Sequence, residues 1–186
     1  MQAPIPRVNL IDINPKRLNV GCGNNLIEGY INIDSESSLY PDIIADIKYG
    51  LPFDESSVQE ILFFHTIEHI EEKYHEQILR EFHRILEPNG TLLISYPEFI
   101  TCAQNYIDNV YGMREFWKHT IYGLQRYRSD YHVSLMNSDE FVEKLQEYGY
   151  QDISYAPENK EPYNTILIAH KGAIPSSYED LFNRDN

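Results

Sequence analysis

Four short apolar stretches follow one another in the first third of the chain, and each stops on a glycine or a polar side chain. Leu18-Asn19-Val20 ends at Gly21, Tyr30-Ile31-Asn32-Ile33 at Asp34, Ile43-Ile44-Ala45 at Asp46, and Glu60-Ile61-Leu62-Phe63-Phe64 at His65. Runs this short, bounded by turn residues, read as strands of a largely buried sheet. Helical patterns alternate with further strands downstream. That order predicts an α/β fold with a doubly wound, mostly parallel sheet. In open sheets of this kind, ligands bind beyond the carboxyl ends of the strands.

The clearest helical pattern is Ile70, Tyr74, Ile78, Phe82 and Ile85, with Glu71 and Glu72 in its predicted first turn and Pro88-Asn89-Gly90 as its stop. His75 and His83 fall beside that apolar stripe and are expected to be solvated. Thr91–Ser95 reads as a central parallel strand. A second helix is predicted over about 138–148, capped by Asn137 or Ser138, with Phe141, Val142, Leu145 and Tyr148 on its apolar face and Gly149 after it. Strands near 152–156 and 164–169, joined across Asn159–Pro162, predict an antiparallel closing hairpin that adds one antiparallel strand at the sheet edge. Residues 1–172 form one predicted domain, with 1–16 an extended lead-in and 173–186 a flexible tail.

Composition narrows the partners. The formal net charge is −14, which repels phosphate backbones and anionic lipids and argues against nucleic-acid or membrane binding. No window approaches the length of a transmembrane helix, and Met1–Asn14 lacks the basic and apolar regions of a signal peptide. Two cysteines, Cys22 and Cys102, make no disulfide framework, so a cytoplasmic protein is expected.

The first strand runs into Gly21-Cys22-Gly23. Glycine lets backbone N–H groups approach a ligand. The third glycine of a dinucleotide fingerprint would fall on Leu26, and no phosphate-binding G-x-x-x-x-G-K-[ST] is present, so NAD, FAD and triphosphate sites are disfavoured. Asp34, closing the second strand, can accept both hydroxyls of a ribose. Asp46, closing the third, can meet an adenine amino group.

In these residues the chain resembles the class I S-adenosylmethionine-dependent methyltransferases. The resemblance rests on Leu18–Gly23, Asn32-Ile33-Asp34, Ala45-Asp46-Ile47, Leu51-Pro52-Phe53, His65-Thr66-Ile67-Glu68-His69 and Leu86-Glu87-Pro88-Asn89-Gly90-Thr91. It implies S-adenosylmethionine as cofactor, held by Gly21, Cys22, Gly23, Asp34, Asp46, Ile47 and His65. It also implies methyl transfer to an oxygen or nitrogen of a small molecule. Two departures stand out. Gly23 to Tyr30 is too short for the usual helix between the first two strands, as in a small subgroup of similar proteins associated with sugar and surface-polysaccharide pathways. Val58-Gln59-Glu60 replaces an aromatic-Asp pair. His65 and His132 are the candidate catalytic bases, because a histidine titrates near neutrality.

Three further readings stay open. Residues 100–136 hold Tyr106, Tyr111, Phe116, Trp117, Tyr122, Tyr127 and Tyr131, and their basic side chains Arg114, Lys118, Arg126 and Arg128 outnumber their acidic ones. This segment is expected to be an acceptor lid, an aromatic packing unit or a homodimer contact. His65-Thr66-Ile67-Glu68-His69 also matches the inverted zinc-protease motif. On a helix, His65 and His69 would ligate zinc with Glu68 as base, and Glu98 or His132 would complete the set. No metal is assigned in the leading reading. The shortened cofactor lobe also suits a scaffold that has kept the fold without the chemistry.

Overall fold

The computed structural model describes residues 16–126, 128–156 and 163–173. The Asn159–Pro162 connection and nearly all of the expected lead-in and tail lie outside the described residues.

The strands are β1 (Arg17–Val20), β2 (Ile31–Asp34), β3 (Ile43–Ile44), β4 (Val58–Phe64), β5 (Leu86–Pro97), β6 (Tyr150–Tyr155) and β7 (Asn164–Lys171). They form a seven-stranded sheet in the order β3-β2-β1-β4-β5-β7-β6. β1 pairs in parallel with both β2 and β4, and β4 pairs in parallel with β5. The strand order therefore reverses at β1 and β4. β7 runs antiparallel to β5 on one side and to β6 on the other. The reversed strand thus lies inside the sheet, and β6 forms the edge, which corrects the expectation of one antiparallel edge strand. The connection through α4 (Ser138–Glu147) carries the chain past the neighbouring position, and β7 returns to fill it.

α1 (His75–Ile85) and α4 cover one face. β4 and β5 are registered with Phe63 opposite Ile94, so Phe63, Ile94 and Tyr96 share that face. Phe82 of α1 meets Phe63 edge-on with centroids 5.0 Å apart, and Phe141 of α4 meets Tyr96 in the same way at 5.3 Å. Such aromatic pairs add about 1 kcal/mol each beyond the area they bury. Asn137 caps α4, accepting hydrogen bonds from the Asp139 and Glu140 N–H groups at 3.0 and 3.3 Å.

α1 begins later than its periodicity suggests. Ile70 is extended and buried, Glu72–Tyr74 form a 3-10 turn, and the α-helix starts at His75. His75 and His83 are buried, against the expectation of solvent exposure. His75 Nε2 donates to the Ile70 carbonyl at 2.9 Å, and His83 Nε2 donates to the Gly172 carbonyl at 3.1 Å. Burial lowers the pKa of both imidazoles below the ordinary histidine range. Their place beside the stripe put them under neighbouring chain that helical periodicity does not register. Among the described residues, no helix is long and apolar enough to cross a membrane.

Candidate functional site

The carboxyl ends of β1, β2, β3 and β4 meet where the strand order reverses, the position at which open α/β sheets bind ligands. Each of the predicted cofactor residues lies on this rim. The chain leaves β1 through Gly21 at φ 67°, and the Gly21 and Cys22 N–H groups both donate to the Ile33 carbonyl at 2.8 and 3.1 Å. A Cβ at Gly21 would run into the Thr66 side chain, so the turn needs glycine for both conformation and space. At Gly23, by contrast, a Cβ would meet nothing within 4 Å, so this backbone opens on free space.

Asp34 is fixed from two sides. Its Oδ2 accepts from the Gly23 N–H and its Oδ1 from the Glu36 N–H, each at 2.9 Å. A carboxylate oxygen has room for more than one donor, so both keep accepting capacity for a ligand's hydroxyls. Asp46 caps a 3-10 turn over Ile47–Tyr49 through the Lys48 N–H at 3.0 Å, with the Lys48 ammonium 3.5 Å from its other oxygen. Ile47 is buried beneath it. Cys22 is a buried free thiol. Burial first, and the Asp34 carboxylate second, push its pKa up to about 11, so it acts as an apolar wall and not as a nucleophile.

No helix joins β1 to β2, as the spacing predicted, and an asparagine pair holds the connection instead. Asn19 Nδ2 donates to Asn32 Oδ1 at 2.9 Å and to the Asn25 carbonyl at 2.8 Å. Asn32 Oδ1 also accepts from the Ile27 N–H at 2.8 Å, while the Asn32 amide donates to Asp42 at 3.0 Å and its backbone N–H does so at 2.8 Å. Both asparagines are buried. Sequence reasoning passed over Asn19, Asn32 and Asp42. The signal was available: an asparagine inside a buried strand needs partners.

His65 follows β4 in a left-handed conformation, φ 48°. Its Nδ1 lies 3.5 Å from Glu68 Oε1 and its Nε2 lies 3.3 Å from the Asn164 amide nitrogen. Ile67–His69 form a 3-10 turn. The α-helix that the zinc-protease motif requires is therefore not formed, and His65 and His69 do not share a helical face. Glu98, the other suggested ligand, caps α2 (Phe99–Ile107) by accepting from the Thr101 N–H at 2.7 Å. Instead, the structure gathers Glu68, His69 and His132. Burial holds the His132 pKa below the ordinary histidine range.

These observations meet an independent comparison. The methyltransferase domain family matches residues 14–155. The chain belongs to the methyltransferase domain family. Among solved structures, this methyltransferase is similar to a protein described as a SAM-dependent methyltransferase from Archaeoglobus fulgidus, at 12% identity and a TM-score of 0.60, over 85% of this chain and 87% of that one. It is also similar to one from Methanosarcina mazei described in the same terms, at 16% identity and a TM-score of 0.57, over 84% and 92%. Among curated proteins, no sequence matches.

In the methyltransferase, residues 100–136 carry most of α2 and all of α3 (Arg114–Tyr122). Their aromatics divide into two sets. Trp117 is buried, donates from Nε1 to the Val110 carbonyl at 3.1 Å and stacks edge-on with Phe116 and Tyr163. Tyr106, Tyr111, Tyr122 and Tyr131 are exposed. Arg126 is committed to Asp130 through paired contacts of 2.9 and 3.0 Å, which hold the Asp130 pKa down at about 2. Gly123, at φ 77°, lets the chain close on itself, and the His132 N–H donates to the Tyr122 carbonyl at 3.0 Å. Val133 and Ser134 N–H then both donate to the Glu68 carbonyl, at 2.8 and 3.2 Å, which ties the end of this segment to the turn after β4.

Proposed function

We propose that this methyltransferase uses S-adenosylmethionine to methylate an oxygen or nitrogen of a small polar molecule, a sugar or related metabolite. The observation that carries the reading is Asp34, whose two oxygens are aimed by the Gly23 and Glu36 N–H groups beside an open glycine turn. Asp34 would take the ribose hydroxyls, the Gly21–Gly23 backbone would face the polar end, and Asp46 with Ile47 would meet the adenine. When bound, the cofactor supplies an electrophilic methyl group on a sulfonium. The chain's task is to hold the acceptor in line and remove its proton.

His65 is the base in this reading. Its side chain is half exposed at the end of β4, and Glu68 Oε1 stands near Nδ1, where it stabilises the imidazolium formed when Nε2 gives up the hydrogen bond from the Asn164 amide and takes a proton. The exposed tyrosines of the lid offer faces for a ring or sugar. Two free, buried cysteines suit a reducing compartment such as the cytoplasm. The test is formation of S-adenosylhomocysteine with a panel of sugars, nucleotide sugars and small amines. Once an acceptor is found, His65→Gln is expected to lower kcat by roughly 100-fold or more, a loss that persists at saturating cofactor. Unchanged kcat in that variant would remove His65 as the base.

A further inference from the structure

Glu68 is 2% exposed, and its Oε2 is buried with no hydrogen-bond partner. A buried carboxylate oxygen left unsatisfied is costly and calls for a cation or a donor. Two imidazoles stand beside it. One nitrogen each of His69 and His132 and one oxygen of Glu68 all lie within 4.8 Å of one another. The two rings meet edge-on with centroids 4.8 Å apart.

The second nitrogen of each ring is already engaged. His69 Nδ1 lies 3.0 Å from the Tyr131 carbonyl, and His132 Nδ1 lies 3.0 Å from the Thr120 carbonyl. A carbonyl oxygen only accepts, so both Nδ1 atoms carry the proton and both Nε2 atoms present a lone pair. A backbone carbonyl holding the far nitrogen is how metal-ligating histidines are oriented.

We infer that Glu68, His69 and His132 form a binding site for a divalent first-row transition-metal ion. Two imidazoles and one carboxylate suit Zn²⁺, Fe²⁺ or Co²⁺, whereas Mg²⁺ prefers an all-oxygen shell. Closing the three side chains by about 1 Å brings their ligand atoms to coordinating distance. The donor set differs from that of the zinc-protease motif: Glu68 is a ligand and not a base, and His65 is outside the set. Glu68 still serves His65 through Oε1 while Oε2 faces the ion.

Three protein ligands leave coordination positions open. Glu68 and His132 line a small cavity with Cys102, Thr120, Ser134 and Met136. The metal site does not rest on the methyl-transfer reading.

The test is a titration of the metal-stripped full chain with Co²⁺, read by its visible d–d absorption, and with Zn²⁺, read by calorimetry. It needs neither cofactor nor acceptor, so it is independent of methyl transfer. The expected result is one equivalent of ion bound, with affinity lowered by more than about 100-fold in Glu68→Gln, His69→Gln and His132→Gln, beyond the range of outer-shell changes. His119→Gln and His170→Gln, which lie outside the cluster, are expected to bind as wild type. Circular dichroism identifies the folded variants, and if Glu68→Gln does not fold, the two histidine variants carry the test. No binding above background in the wild type, or undiminished affinity in the folded variants, would overturn the site.

Discussion

Asp34→Ala is expected to fold and to bind S-adenosylmethionine about 100-fold or more weakly than the wild type. Two ribose hydroxyls donating to one carboxylate contribute about 1.5–3 kcal/mol each, since the acceptor is charged. Losing both corresponds to at least two decades in dissociation constant. The carboxylate also fixes the loop it sits beside, because it accepts from the Gly23 and Glu36 N–H groups. Asp34→Asn separates these contributions. It keeps one side-chain oxygen as an acceptor and is expected to fall between wild type and alanine in a calorimetric titration. Equal affinity of wild type and Asp34→Ala would place the ribose elsewhere.

The second large effect is on stability. Asn32→Leu is expected to destabilise the protein by about 3–5 kcal/mol, because it strands the Ile27 N–H, takes one of the two acceptors of the Asn19 amide and removes one of the two donors to Asp42. For a chain of this size that is a fall in Tm of roughly 10 °C. The measurement is thermal unfolding followed by circular dichroism, with Leu26→Ala, at an exposed position in the same loop, as the control. A loss no larger than the control's would mean that the asparagine pair does not hold the β1–β2 connection. The expected size follows from what is missing there. A parallel crossover is normally anchored by a helix packed on the sheet. Here, side-chain hydrogen bonds from two buried strand positions do that work.

Much of this architecture is legible in the residues, for a physical reason. β1, β2, β3 and β4 are short, apolar at most positions and end in residues with distinct turn chemistry, so both the strands and their polar ends register locally. The same holds for α4, where Asn137 opens a helix with a clean apolar face. What is not legible depends on contacts distant in sequence. Ile70 and Tyr74 continue a helical period, yet Ile70 reaches the core from an extended backbone, and only the packed structure distinguishes the two. His75 and His83 are covered by chain far from them in sequence; for His83 the partner is Gly172. The place of β7 between β5 and β6 is a property of the assembled sheet, and no single strand encodes it.

The candidate site divides in the same way. Gly21, Gly23, Asp34, Asp46 and His65 fall on one rim because each ends a strand of one sheet. Grouping Glu68 with His69 and His132 requires the segment after α3 to return. The Val133 and Ser134 N–H groups on the Glu68 carbonyl make that return, across more than sixty positions of chain. The motif His65-Thr66-Ile67-Glu68-His69 thus contains two of the three clustered side chains, but a helical reading of it selects the wrong pair.

Binding of S-adenosylmethionine at the rim formed by β1, β2, β3 and β4 is tested by calorimetric titration of the wild-type chain with S-adenosylmethionine and, separately, with S-adenosylhomocysteine. Saturable one-to-one binding of both, with each displacing the other, is the expected result. An absence of heat and of competition with either compound, in protein shown to be folded, would rule that binding out.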